Sequence, residues 1–127
     1  MNRKLKAYQR VQITTASPAE VIVLLYDGLT RFCVTARRAI ESKMFADAGE
    51  ALDKAHAIIV HLIDSLDDAV NPELTAHLRR MYFAWSRALM KAQISQDLVE
   101  MDEIIEQMRS LGDAWRQASQ TALAEGA

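Results

Sequence analysis

Glycine is scarce in this chain: there are four among 127 residues, Gly28, Gly49, Gly112 and Gly126, no two within ten positions of each other. Neither G-x-G-x-x-G nor G-x-x-x-x-G-K can be written with that spacing, which excludes the usual backbone cradles for dinucleotides and triphosphates. Proline is scarcer still, and both Pro18 and Pro72 fall where a helix would start rather than break. The long stretches between them favour an all-α chain. Cysteine occurs once, as Cys33 between Phe32 and Val34. An internal disulfide is thereby excluded, and the residue suits a small buried hydrophobe in a reducing compartment. Long apolar runs are missing too: the densest, Val21 to Tyr26, has six residues. A secretory signal core needs ~7–15 and a membrane span ~20, so the chain reads as cytoplasmic, without stable membrane insertion. Nor is there a basic surplus, since 15 Lys and Arg face 17 Asp and Glu for a net charge of -2. Without one, little counterion release would drive binding to nucleic acid.

What is present describes a globular protein: 50% of the residues are hydrophobic and 25% charged. Four helices can be read from their punctuation. Ser17-Pro18-Ala19-Glu20 is an N-cap, an N1 proline and an N3 acid in order. It opens a helix over 17–41 with the stripe Ile22, Leu25, Leu29, Phe32, Ala36 and Ile40. Phe45, Ala48, Leu52, Ala55, Ile59, Leu62 and Leu66 alternate steps of three and four and predict a second helix over 44–68. Asn71-Pro72 repeats the cap-plus-proline device for a third over 71–94, with Leu74, Leu78, Met81, Trp85, Ala88 and Ala92 inward. Asp97 and Glu100 open a fourth over 97–118, with Leu98, Met101, Ile105, Met108 and Trp115 inward. Short loops between helices of such length make consecutive helices antiparallel neighbours, an up-down-up-down four-helix bundle. Charge agrees with that order: residues 41–73 carry eight acids and two bases, 74–96 four bases and no acid, and 97–113 six acids and one base. The third helix thus belongs between two acidic ones, an order that disfavours other arrangements. Residues 1–16, with four bases, no acid and the apolar Leu5, Tyr8 and Ile13, read as a flexible N-terminal arm, and residues 119–127 as a frayed tail.

Catalytic chemistry is hard to find. A di-iron bundle needs two Glu-x-x-His pairs, whereas Asp53-x-x-His56 stands alone and His61 falls off its face. No metal site and no cofactor are expected. His77 beside Arg79 and Arg80 has a histidine-phosphotransfer flavour, but Met81, Tyr82 and Phe83 fill the turn where a docking partner needs room. Cys33 lacks a neighbouring cation or histidine to make it a thiolate. The chain is expected not to be an enzyme.

Surplus apolar surface is more informative. At 100° per residue, Phe83, Met90 and Ile94 lie on the face of the third helix opposite its inward stripe. Val23, Leu24 and Tyr26 add a similar surplus to the first helix, Ile58 and Val60 a smaller one to the second. Contiguous exposed apolar patches mark partner, membrane or oligomer contacts, and a partner groove is the reading adopted. Its expected lining is Leu24, Tyr26, Ile58, Phe83, Met90 and Ile94. Leu5, Tyr8 and Ile13 of the arm are expected to cap this surface until a ligand displaces them.

The run Ala7-Tyr8-Gln9, then Thr15-Ala16-Ser17-Pro18-Ala19-Glu20 leading into Leu24-Leu25-Tyr26-Asp27-Gly28, resembles the flagellar secretion chaperone FliS family. Lys54-Ala55, Ile58-Ile59, Leu62, Leu66-Asp67, Ala92, Asp97 and Ala114-Trp115 follow in the order of its pattern, so that the likeness spans residues 7–118. Gln93 stands where the family often has Asn. The resemblance implies a cytosolic, ATP-independent chaperone. Such a protein binds the disordered C-terminal segment of flagellin, prevents its premature polymerisation and delivers it to a component of the flagellar type III export gate. It also implies an N-terminal region resting on part of the ligand surface. A bundle adaptor with another client, and weak self-association through the apolar stripe, stay open on the residues themselves.

Overall fold

The structure, a computed structural model, describes residues 17–126. They form four helices and no strand: α1 (Pro18–Glu41), α2 (Phe45–Asp64), α3 (Pro72–Ser95) and α4 (Val99–Gly126). The two proline starts form as their sequences dictate. Ser17 Oγ accepts from the Glu20 amide at 3.3 Å, and Asn71 Oδ1 accepts from the Leu74 amide at 3.2 Å. Each cap satisfies an orphan donor of the first turn.

The loops depend on two residues that no glycine rule would select. Lys43, at φ 61°, follows α1: its amide reaches the Ile40 carbonyl while the Met44 amide reaches that of Ala39, the paired bonds of a Schellman turn. Gln96, at φ 62°, closes α3 through an amide bond to the Ala92 carbonyl. Two boundaries differ from those read in the sequence. α2 stops at Asp64 instead of residue 68, because Ser65 Oγ turns back onto the Leu62 carbonyl at 2.8 Å and the Leu66 amide onto that of Ile63. α4 runs on to Gly126 instead of fraying after 118. Ala122 and Ala124 are strong helix formers, nothing breaks the segment, and Ser119 is buried.

α1 packs closely on α2 and α4, and α3 packs on α2 and α4 from the other side, so α1 and α3 stand on a diagonal. The expected placing of the basic third helix between its acidic neighbours therefore holds. Lys91 of α3 meets Glu100 of α4 at 3.4 Å and Arg79 meets Asp68 beside the end of α2 at 3.2 Å. α1 is tied to α4 by Arg37 on Asp102 at 2.7 Å and Arg116 on Asp27 at 2.7 Å. All four pairs are partly or fully solvated, where each contributes less than ~1 kcal/mol.

The buried stripe of α2 follows its expected periodicity from Ala48 to Leu62, whereas those of α1 and α3 are rotated. In α1, Tyr26, Leu29, Cys33, Ala36 and Ile40 are buried while Ile22, Leu25 and Phe32 are half-buried. In α3, Tyr82 and Leu89 join Leu78 and Trp85, and Met81 moves to the flank. Phe45 and Leu74 stay exposed in the first turns of their helices.

The rotation builds an aromatic centre. Tyr26 and Tyr82 share a 2.8 Å hydrogen bond between hydroxyls across the α1–α3 diagonal. Trp85 meets both rings at steep interplanar angles, 79° and 63°, with centroids 6.1 and 5.6 Å away, and its Nε1–H donates to Gln107 Oε1 at 2.8 Å. Burial pushes both phenols far from ionisation. Burial likewise pushes the Cys33 thiol up to about 12, so it packs rather than reacts.

Candidate partner-binding surface

The residues expected to line a partner groove separate into three places. Phe83, Met90 and Ile94 share one face of α3, with 48%, 50% and 84% of their surface exposed. Tyr26 is 1% exposed. Its flank position on a helical wheel had suggested an accessible ring, but α1 turns it inward to meet Tyr82, and a partner could touch it only by opening the core. Leu24 is half-buried. Ile58 is half-buried as well and faces the α1–α2 seam, where a Cβ on Gly28 would lie 3.2 Å from its Cδ1. It therefore sits apart from the α3 row. Leu5, Tyr8 and Ile13 lie outside the described residues.

Two contacts set the α2–α3 register: His56 Nδ1 lies 3.1 Å from Ser86 Oγ, and a Cβ on Gly49 would lie 3.6 Å from Gln93 Nε2. One turn along from His56, Val60 stands opposite Tyr82 and Phe83. Val60 is 55% exposed, and the register sets it beside Phe83 across the helix pair, with Met90 and Ile94 farther along α3 toward the start of α2. Exposed apolar side chains thus border the groove between α2 and α3, Val60 from one side and Phe83, Met90 and Ile94 from the other.

His56 lies beneath this channel, its Nε2 buried without a hydrogen-bond partner among the described residues. Burial holds the imidazole below its ordinary value of 6.5, against a smaller opposing pull from Asp53. Folding therefore favours the neutral ring. Its contribution is complete above the ordinary value and is lost as pH falls from there through the lowered one. We expect the urea midpoint to drop between about pH 7.5 and about pH 5.5 and His56→Gln to remove part of that drop. An equal drop in the variant would assign it to other groups.

A second apolar opening was not legible in the sequence. At the end of the bundle where α1 begins, Ile22, Leu62, Leu66, Leu74, Tyr82 and Trp115 border a cavity of about 290 Å³. Trp115 Nε1 beside it is buried without a partner among the described residues. All four helices and the α2–α3 loop supply this lining, so no single periodicity announces it.

Among the described residues no cluster of three or more His, Cys, Asp or Glu side chains could hold a metal ion. No described helix is long and apolar enough to cross a membrane.

Comparison with known proteins covers nearly the whole chain. The family model described as flagellar protein FliS matches residues 1–122. The flagellar secretion chaperone FliS of Bacillus subtilis strain 168 is 36% identical over 115 residues, covering 91% of this chain and 85% of that protein. The protein of the same name from Salmonella typhimurium strain LT2 is 32% identical over 123 residues, covering 93% and 91%. That from Escherichia coli K12 is 30% identical over 107 residues, covering 84% and 79%. With four helices in this order, exposed apolar side chains on two of them and a match running from the first residue into α4, the chain belongs to the FliS family of flagellar proteins.

Proposed function

We propose that this chain is a cytosolic, ATP-independent export chaperone that holds the disordered C-terminal segment of flagellin. In this reading it keeps flagellin from polymerising early and presents it to a component of the flagellar export gate. The observation that carries the reading is the alignment of exposed Phe83, Met90 and Ile94 on α3 with Val60 across the groove on α2. A disordered segment would fold its apolar face into that channel, as amphipathic helices do in other grooves. Ordering the segment costs ~2–5 kcal/mol or more, so capture needs a long wrapped surface. The end cavity beside Trp115 extends the apolar surface around the bundle. The client's backbone amides bond to one another once helical, so the chaperone can supply mainly shape and apolar area. Such recognition tolerates sequence variation and releases without nucleotide. Leu5, Tyr8 and Ile13 would cover part of the same surface before the client arrives.

Calorimetric titration with a synthetic flagellin C-terminal segment, followed by circular dichroism of the mixture, tests the proposal. Saturable one-to-one binding with a gain in helix beyond the sum of the parts is expected, and tighter binding after deletion of residues 1–16. Absence of binding by both forms would sink the flagellin assignment. Unchanged or weaker binding after the deletion would remove the arm from the ligand surface.

A further inference from the structure

The outward face of α1 carries chemistry that apolar capture does not use. Arg31, Thr35 and Arg38 follow one another there at i, i+4 and i+7, all exposed. They form a ridge between two grooves. One, of about 410 Å³, opens toward α4 and reaches Arg109; the other, of about 490 Å³, opens toward α2 and reaches Lys54.

Neither Arg31, Arg38 nor Arg109 has a carboxylate partner among the described residues. The acids lining the α4 groove differ in this respect, because Arg116 reaches both Asp27, at 2.7 Å, and Asp113, at 3.7 Å. Around the α4 groove, then, the acids are paired with a cation while the guanidiniums of Arg31, Arg38 and Arg109 are left over. Arg31 is also held in place: its guanidinium lies 5.4 Å from the centroid of the Phe32 ring, which Lys54 approaches at 5.5 Å. Stacking on an aromatic face leaves the N–H edges of a guanidinium free for a carboxylate fork. A concentrated positive ridge on a chain of net charge -2 is complementary to an acidic partner and would steer its approach.

We infer that this ridge docks an acidic helical segment of a partner protein, with carboxylates seven residues apart on Arg31 and Arg38 and a third on Arg109. Seven residues of helix span ~10.5 Å, so the partner's spacing repeats that of the ridge itself. A continuous phosphate backbone fits less well, because Asp47, Glu50 and Asp113 line the same grooves and would repel charges falling between the arginines. An anionic membrane fits less well too, since Thr35 occupies the crest and offers nothing to insert. α1 stands diagonally from α3, so this segment and a client in the α2–α3 channel can be held together. The inference does not depend on what that client is.

The test is a nuclear magnetic resonance titration of the full chain with a helical alanine-based peptide bearing glutamates seven residues apart. A glutamine version of the peptide, a single-stranded oligonucleotide and phosphatidylserine vesicles are the other arms. Saturable shifts confined to residues 27–38, Lys54 and 109–113 are expected. They should weaken about tenfold between about 50 and about 300 mM salt and at least about tenfold in Arg31→Gln/Arg38→Gln. Equal binding of the glutamine peptide, absence of shifts on this face or unchanged binding by the double variant would overturn the inference. Tighter binding there of the oligonucleotide or the vesicles would overturn it in favour of those ligands.

Discussion

Changing Phe83 and Ile94 together to aspartate is expected to weaken capture of the flagellin segment by roughly 30-fold to 1,000-fold, the ~2–4 kcal/mol carried by central apolar contacts. Phe83 is 48% and Ile94 84% exposed on α3, so neither contributes heavily to the core and far-ultraviolet circular dichroism should not change. Aspartate does more than delete area. It places a charge that must be desolvated as the client's apolar face closes over it, whereas alanine leaves only a gap. The loss should therefore exceed that of Phe83→Ala/Ile94→Ala, and mainly as faster dissociation. Val60→Asp, across the channel, should weaken binding in the same direction. If the double aspartate variant binds as tightly as the native chain, α3 is not the client surface, and the end cavity beside Trp115 becomes the better candidate.

Trp85→Ala is expected to lower stability by ~3–5 kcal/mol, the range for removing a buried large aromatic. On a domain of this size the midpoint of thermal unfolding would fall by ~10–20 °C. Trp85 is buried where the α1 and α3 tyrosines meet, and its indole N–H is spent on Gln107. Losing the hydrogen bond alone would matter little, because Gln107 is exposed and can turn to water. The cost comes from the void left against Tyr26 and Tyr82, whose shared hydroxyl bond spans the bundle. Trp85→Phe, which keeps most of the volume, should lose less than half as much. Urea denaturation at several wavelengths measures both, with Trp115 as the remaining indole. A loss below about 1.5 kcal/mol for Trp85→Ala would mean that α2 and α4 collapse into the void and that the aromatic centre does not hold α3 in place.

Much of the architecture is legible because it rests on local chemistry. Ser17-Pro18 and Asn71-Pro72 start helices through bonds within one turn, and the Ala48–Leu62 stripe of α2 needs no knowledge of its neighbours. The run Leu24-Leu25-Tyr26-Asp27-Gly28 carries the family likeness for a physical reason visible in the fold. Tyr26 reaches the core centre, Asp27 accepts from Arg116 of α4, and Gly28 admits Ile58 of α2. A motif that looked like binding chemistry is largely packing chemistry. Phe83, Met90 and Ile94 were found as surplus by the wheel alone, and they remain exposed because no other helix among the described residues covers that face.

Sequence alone therefore determined the number and order of helices, their capped starts, the antiparallel connection of neighbours and the presence of apolar residues beyond the needs of the core. These depend on turn chemistry, periodicity and loop length, all of which act over a few residues. Only the tertiary structure decided how far each helix rotates about its axis. That angle is set jointly by two flanking helices, and a turn well short of one residue's 100°, which keeps Leu29, Ala36, Leu78 and Trp85 inward, was enough to bury Tyr26 and Tyr82 and to leave Met81 at the flank. The same joint choice set Val60 beside Phe83, opened the end cavity and left Arg31 and Arg38 without carboxylates among the described residues, since each of these compares positions on different helices.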